Sequence, residues 1–129
     1  EITERAAITG DGAARGVLDE LRGLGARVAV DDFGAGYASF GYLTAFDPDL
    51  VKLDRAFVAT GSSPEPLLPA LVDLAHHLGK PVVVEGVENQ GEWDRAVATD
   101  SDLVQGYFMG RPVAGPGFLQ RHVSAPAAA

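Results

Sequence analysis

The stretch Val28-Ala29-Val30-Asp31-Asp32-Phe33-Gly34-Ala35-Gly36-Tyr37 decides how this chain is read. A short β-branched run ends in two adjacent carboxylates, then opens into a loop with two glycines. Successive side chains on a strand point to opposite faces, so Asp31 and Asp32 are not expected to enter an apolar core together. Neighbouring carboxylates repel each other unless a cation sits beside them. Gly34 and Gly36 permit positive φ or a close approach of the backbone to a ligand. The stretch therefore reads as the metal-holding lip of a site.

Upstream, Asp11 is placed to cap a helix over residues 12–24. Its apolar stripe, Ala14, Val17, Leu18, Leu21 and Leu24, follows a period of 3.6. Gly25 ends that helix, and residues 26–31 form the strand that carries the first Asp. Downstream, residues 38–46 predict a short helix stopped by Pro48, and residues 50–54 a strand that ends in Asp54. A helix over about 66–78 buries Leu68, Leu71, Val72, Ala75 and Leu78, and Gly79 and Pro81 close it. Residues 81–85 make the most apolar strand, ending in Glu85. Residues 89–98 read as a helix with Trp93 and Val97 facing inward, and residues 101–106 as the last strand. His76 and His77, near a helix C-terminus, read as solvent-side residues favoured by the helix dipole. Tyr37, Phe40 and Tyr42 fit a dimer surface or a core equally well. The domain is expected to span 1–119, with a disordered Ala/Pro tail over 120–129.

The composition narrows the function. The 129 residues carry a formal charge of −8, which argues against DNA or RNA polymers as partners. The absence of Cys excludes disulfides and thiolate metal sites. No run approaches the roughly 20 apolar residues of a membrane span, and no signal peptide is visible, so cytoplasm is the default expectation. The parent protein could still be anchored through other segments. The sequence opens on Glu1, and we expect it to be part of a longer protein.

Near-continuous Val/Leu strands alternating with amphipathic helices imply a parallel sheet covered by helices. Polar groups recur where strands end: Glu1 and Glu4, Asp31 and Asp32, Lys52 and Asp54, Glu85 and Glu88, and Gln105. One such acid alone is readily a helix N-cap. That bland reading suits Asp54 or Glu88 singly but not the whole set. Active sites of α/β folds lie at the carboxyl ends of parallel strands. A site fed by every strand suits a barrel mouth better than the switch point of an open sheet. A (β/α)8 barrel needs about 200–250 residues, so the fold class expected is α/β, a TIM-like barrel represented by about its last five strands.

These residues also resemble a known family. Glu1-Ile-Thr-Glu4, Asp31-Asp-Phe-Gly-Ala-Gly-Tyr37, Lys52-Leu-Asp54, Glu85-Gly-Val-Glu88 and Gln105-Gly-Tyr107 are similar, in order and spacing, to the later motifs of the EAL domain. That family consists of bacterial cyclic-di-GMP phosphodiesterases on a TIM-like barrel. The resemblance implies that Glu1, Asp31, Asp32 and Glu85 ligate metal. It makes Glu85 the general-base candidate and Lys52 the lysine near the attacking water. Glu4 would brace the flexible loop, while Asp54, Glu88 and Gln105 would surround substrate or metals. The loop from Phe33 to Phe40 matches a segment tied to metal binding and dimerisation. Ala35 and Ala38 stand where Thr and Ser are usual, and Asp100 stands where a glycine normally ends a helix.

The activity implied is hydrolysis of cyclic-di-GMP to linear pGpG with two Mg²⁺ or Mn²⁺ ions, hard cations suited to oxygen ligands. A homodimer and an upstream sensor or diguanylate cyclase domain are the implied partners. The first three strands of the family, with the name-giving Glu and a strand-three Asn, lack counterparts here. The chain alone is accordingly expected to hydrolyse little or no cyclic-di-GMP. The alternatives are a non-catalytic cyclic-di-GMP receptor or dimerisation module, and a dinucleotide-binding module. The last is disfavoured, because Gly34-Ala-Gly36 lacks a third glycine and the Asp pair would repel pyrophosphate without metal.

Overall fold

The computed structural model describes residues 1–3, 12–34, 43, 46–59 and 67–115, with residues 12–14 described by their backbone. Five strands form one sheet: β1 (Ile2–Thr3), β2 (Ala29–Phe33), β3 (Leu50–Leu53), β4 (Val82–Val84) and β5 (Leu103–Val104). Their order in the sheet is their order in the chain, and every pairing is parallel. A doubly wound sheet reverses its strand order at a switch point. An unbroken sequential run is an arc of a (β/α)8 barrel. Helix α1 (Gly12–Gly23) joins β1 to β2, α2 (Leu67–His77) joins β3 to β4, and α3 (Gln90–Val97) joins β4 to β5. A 3₁₀ turn, Arg55–Phe57, follows β3 directly.

The core is built from the strands outward. Val30, Val51, Leu53, Val82 and Val84 are fully buried, together with Phe33, Val58, Val72 and Val87. All three residues of β4 are buried, as expected where helices or barrel interior cover both faces of a parallel strand. From α2, Leu68, Leu71, Val72 and Ala75 supply the covering ridge. Trp93 of α3 packs at the margin of this core and meets Phe108 with ring centroids 6.2 Å apart.

Several expectations change. The strand of the opening motif is Ala29–Phe33 rather than 26–31 and carries through both aspartates. Helix α1 stands where its periodicity puts it, and Gly25 follows at φ +86°. Its stripe, however, is largely solvent-facing: Leu18 is buried, while Val17, Leu21 and Leu24 are exposed. A period of 3.6 locates an apolar arc, but not how much of that arc finds a neighbour. Val97 and Leu78 are likewise exposed; α3 buries Glu92 and Ala96 instead. Asp100 does adopt the left-handed conformation of the glycine it replaces, at φ +57°. Glu4, Asp11, Ala35, Tyr37, Ala38, Phe40, Tyr42, most of the 38–46 helix and the 120–129 tail lie outside the described residues.

At the amino-terminal ends of the strands, carboxylates serve structure. Asp49 accepts a hydrogen bond from the Val28 N–H at 2.7 Å, and Asp102 accepts one from the Val82 N–H at 2.8 Å. Each acid, just before one strand, ties down the start of the preceding strand. His76, assigned to solvent by its position, also reaches Asp102, with Nε2 2.9 Å from Oδ2. The Val82 N–H first, and His76 second, hold the Asp102 carboxyl below the usual carboxylate range. A depressed folded-state pKa stabilises the fold above the unfolded pKa, and that stability is lost as pH falls through the folded value. Asp102→Asn should therefore flatten the acid limb of a melting-temperature-against-pH profile. At neutral pH its cost should stay below about 1 kcal/mol, because the carboxylate is nearly half exposed.

Gly106, just after β5, lies against the turn that follows β4. A Cβ there would sit 2.0 Å from the Val87 carbonyl oxygen and 2.4 Å from its nitrogen. Backbone tied into the sheet cannot yield that space. Gly106→Ala should cost about 3 kcal/mol in a denaturant melt; a loss below about 1 kcal/mol would contradict this packing.

Candidate metal centre

The strand ends gather the acids of the sequence motifs at one place. Carboxylate oxygens of Asp31, Asp32 and Glu85 all lie within 4.8 Å of one another. Strict alternation along β2 would send Asp31 and Asp32 to opposite faces, and an irregularity in the strand removes that conflict. Val30 pairs with Val51, but Phe33 pairs with Leu53, so β2 holds one residue more than β3 over that interval. This is a β-bulge. Asp32 takes it up at φ +55°, a left-handed conformation that costs a non-glycine residue energy and that Asp tolerates better than most. Both carboxylates then come within 4.8 Å of Glu85 while Val30 and Phe33 remain fully buried.

Lys52 sits beneath this group. Its side chain is 6% exposed, and Nζ lies 2.7 Å from Glu85, 2.9 Å from Asp31 and 3.0 Å from Glu1. One ammonium on β3 thus links the residue before β1, a residue of β2 and the residue after β4. Burial works against the Lys52 charge, but its hydrogen bonds to Glu85, Asp31 and Glu1 outweigh that and hold its pKa above the ordinary lysine value. Asp31 is pulled up by burial, yet the Lys52 hydrogen bond and charge leave it below the usual range. Glu85 goes the other way, pushed up by burial and by the Asp31 charge against the opposing pull of Lys52. Asp32 is raised by burial, then by the charges of Asp31 and Asp54.

The remaining predicted residues take different places. Glu1 reaches Lys52 but does not join the three-carboxylate group. Asp54 caps the 3₁₀ turn, its Oδ1 accepting from the Ala56 N–H at 2.7 Å. Glu88 is exposed and pairs with Arg55 at 2.6 Å. Gln105 is exposed, and its backbone ties Val84 to Val87: its N–H donates to the Val84 carbonyl and its carbonyl accepts from the Val87 N–H. Glu4 lies outside the described residues. Two residues with a structural role here were missed from sequence. Glu92, 4% exposed, accepts the Glu88 N–H at 2.6 Å. Its position three after the N-cap Asn89 was the available signal. Arg55 stands three after Lys52 as Glu88 stands three after Glu85, a repeated spacing that could have been seen.

With this geometry in hand, comparison with known proteins is decisive. Residues 1–112 match the EAL domain family. The chain belongs to the EAL domain family. Among curated relatives, the cyclic di-GMP phosphodiesterase PdeL of Escherichia coli is 37% identical over 126 residues, covering 95% of this chain and 35% of that protein. This EAL chain thus spans about a third of that relative's length. Among solved structures, the EAL domain of Mycobacterium smegmatis DcpA superposes with a TM-score of 0.83 at 31% identity, over 98% of this chain and 58% of that one. Klebsiella pneumoniae BlrP1 in complex with manganese and cyclic-di-GMP superposes with a TM-score of 0.76 at 37% identity, over 85% of this chain and 29% of that one. The parallel sheet is accordingly part of the EAL barrel. Among the described residues, no helix is long and apolar enough to cross a membrane.

The cation at the centre of the EAL acids is testable by stability alone. Removing one partner from a buried ion-pair network leaves the others uncompensated and costs about 3–5 kcal/mol. Lys52→Met should destabilise the chain by an amount near the lower end of that range. Adding Asp31→Asn and Glu85→Gln to the same variant should recover most of the loss. A single-variant loss within the noise of a denaturant melt would contradict the ion-pair account.

Proposed function

We propose that this chain supplies the carboxyl-terminal part of a metal-dependent phosphodiesterase site that hydrolyses cyclic-di-GMP to linear pGpG. The observation that carries the reading is the convergence of Asp31, Asp32 and Glu85 within 4.8 Å around the paired Lys52, in a member of the EAL family. The donor set fits the group implied. Three carboxylates without a thiolate or imidazole suit hard divalent ions such as Mg²⁺ or Mn²⁺, and so much negative charge in one place calls for cations. Asp31, Asp32 and Glu85 would hold the metal, with Glu1 adjoining through Lys52. Bound divalent ions would supply electrostatic binding of the phosphodiester, acidification of a water and stabilisation of the leaving oxygen.

The chain's own residues divide the remaining work. Lys52 holds a permanent positive charge beside the reacting phosphate and fixes the Glu85 carboxylate through its Oε1. Glu85 accepts the proton of the attacking water. In the complete protein this reading is compatible with a homodimer formed through the loop after Asp32 and with an upstream sensor or diguanylate cyclase domain.

The test is hydrolysis by the complete EAL domain that contains this chain, with Mn²⁺ or Mg²⁺ and chromatographic detection of pGpG. Glu85→Gln should lower kcat at least about 100-fold, the lower end for loss of an acid–base group, while cyclic-di-GMP still binds. Unchanged turnover in that variant would reject the assignment of Glu85. Tight binding without turnover by the wild-type domain would indicate a receptor instead.

A further inference from the structure

The turn after β4 carries Glu85, so whatever holds that turn also holds the candidate base. Gly86, at φ +69°, is covered from the β3 side by the stem of Arg55. A Cβ at Gly86 would lie 2.5 Å from both Cβ and Cγ of Arg55 and 2.8 Å from its Cδ. The Arg55 guanidinium continues past the glycine to Glu88, 2.6 Å from its Oε2. Asp54 orients the arginine by capping the 3₁₀ turn from which it springs. The same turn presents Phe57 to the other ligand-bearing loop. A Cβ at Gly34 would lie 2.8 Å from Cζ of Phe57.

Parallel strands with Lys52 opposite Val83 make the arrangement a pair of rungs. Lys52 to Glu85 is the inner, buried rung. Arg55 to Glu88, three residues further along both segments, is the outer, exposed one. An exposed ion pair contributes little to overall stability. Here its geometric consequence is larger: Gly86, between the rungs, has no side chain, so beside the buried Val87 it is the Arg55 stem that covers the turn.

We propose that Arg55 is a positioning residue: clasped over Gly86 onto Glu88, it fixes the turn that aims the Glu85 carboxylate at the metal centre. The consequence for metal rests on the functional reading above; the consequence for the turn does not. A partner that orients a ligand from outside the coordination shell typically controls metal affinity by about 10- to 100-fold.

The experiment measures amide hydrogen exchange and Mn²⁺ affinity, the latter by calorimetry, on the complete EAL domain that contains this chain and on its Arg55→Ala, Arg55→Lys and Glu88→Ala variants. Temperatures are kept well below each melting point, so that global stability does not enter. Arg55→Ala and Glu88→Ala should speed exchange at the Val87 and Glu88 amides about tenfold, as a locally loosened segment does, and weaken Mn²⁺ binding about tenfold. Arg55→Lys, which keeps stem and charge, should restore most of both. Unchanged exchange at those amides in Arg55→Ala overturns the proposal, as does faster exchange with Mn²⁺ affinity intact. If the wild-type domain takes up no Mn²⁺, the metal reading fails and the exchange arm alone decides whether Arg55 holds the turn.

Discussion

One ammonium group holds this structure's acidic end together. Lys52 is buried among Glu1, Asp31 and Glu85, groups that would otherwise repel one another across the mouth of the sheet. Charge is expensive to bury, and it is retained here because the three carboxylates and the lysine compensate one another. The ion pairs also act as fasteners. They connect the segment before β1, the strand β2 and the turn after β4 through a side chain on β3, and so reach across four of the five strands. The apolar strands determine where the sheet lies; this cation determines how the polar ends of its strands face each other.

The second constraint is the extra residue in β2. A strand that alternates strictly could offer one of its two aspartates to the site, at the cost of turning Phe33 out of the core or the other carboxylate into it. The bulge at Asp32 avoids both. It confines the strain to a single left-handed residue, and the buried Val30 and Phe33 on either side leave little room for relaxation. Strain held at a site by packing around it is a familiar form of preorganisation. Here it is what brings Asp31, Asp32 and Glu85 within reach of one ion.

The sequence was most legible where one physical rule acts alone. Alternating apolar strands and amphipathic helices gave the parallel α/β fold, and acids at successive strand ends marked the mouth of a barrel. The motifs at Asp31–Asp32, Lys52 and Glu85 named the residues that the structure brings together. It was least legible where two rules compete. The motif named both Asp31 and Asp32, but period-two alternation does not explain how one strand presents them together; the pairing register that does so is invisible in one strand's sequence. Helical periodicity found α1 but could not show that Val17, Leu21 and Leu24 would face solvent. Asp102 was passed over, and the contact His76 makes with it went unseen, because their partners lie 20 to 26 residues away, which no local window reveals. Glu88 pairs with Arg55, 33 residues away in the chain, a contact that its position after Glu85 does not announce.

The central claim is that Asp31, Asp32 and Glu85, gathered by the bulge and by Lys52, form a divalent-metal centre. Anomalous diffraction at the manganese edge, from crystals of the complete EAL domain that contains this chain grown with Mn²⁺, tests it most directly. The account predicts a manganese peak within coordination distance of carboxylate oxygens from all three residues. A peak elsewhere, or none at this cluster while the three carboxylates keep the positions described, would contradict it.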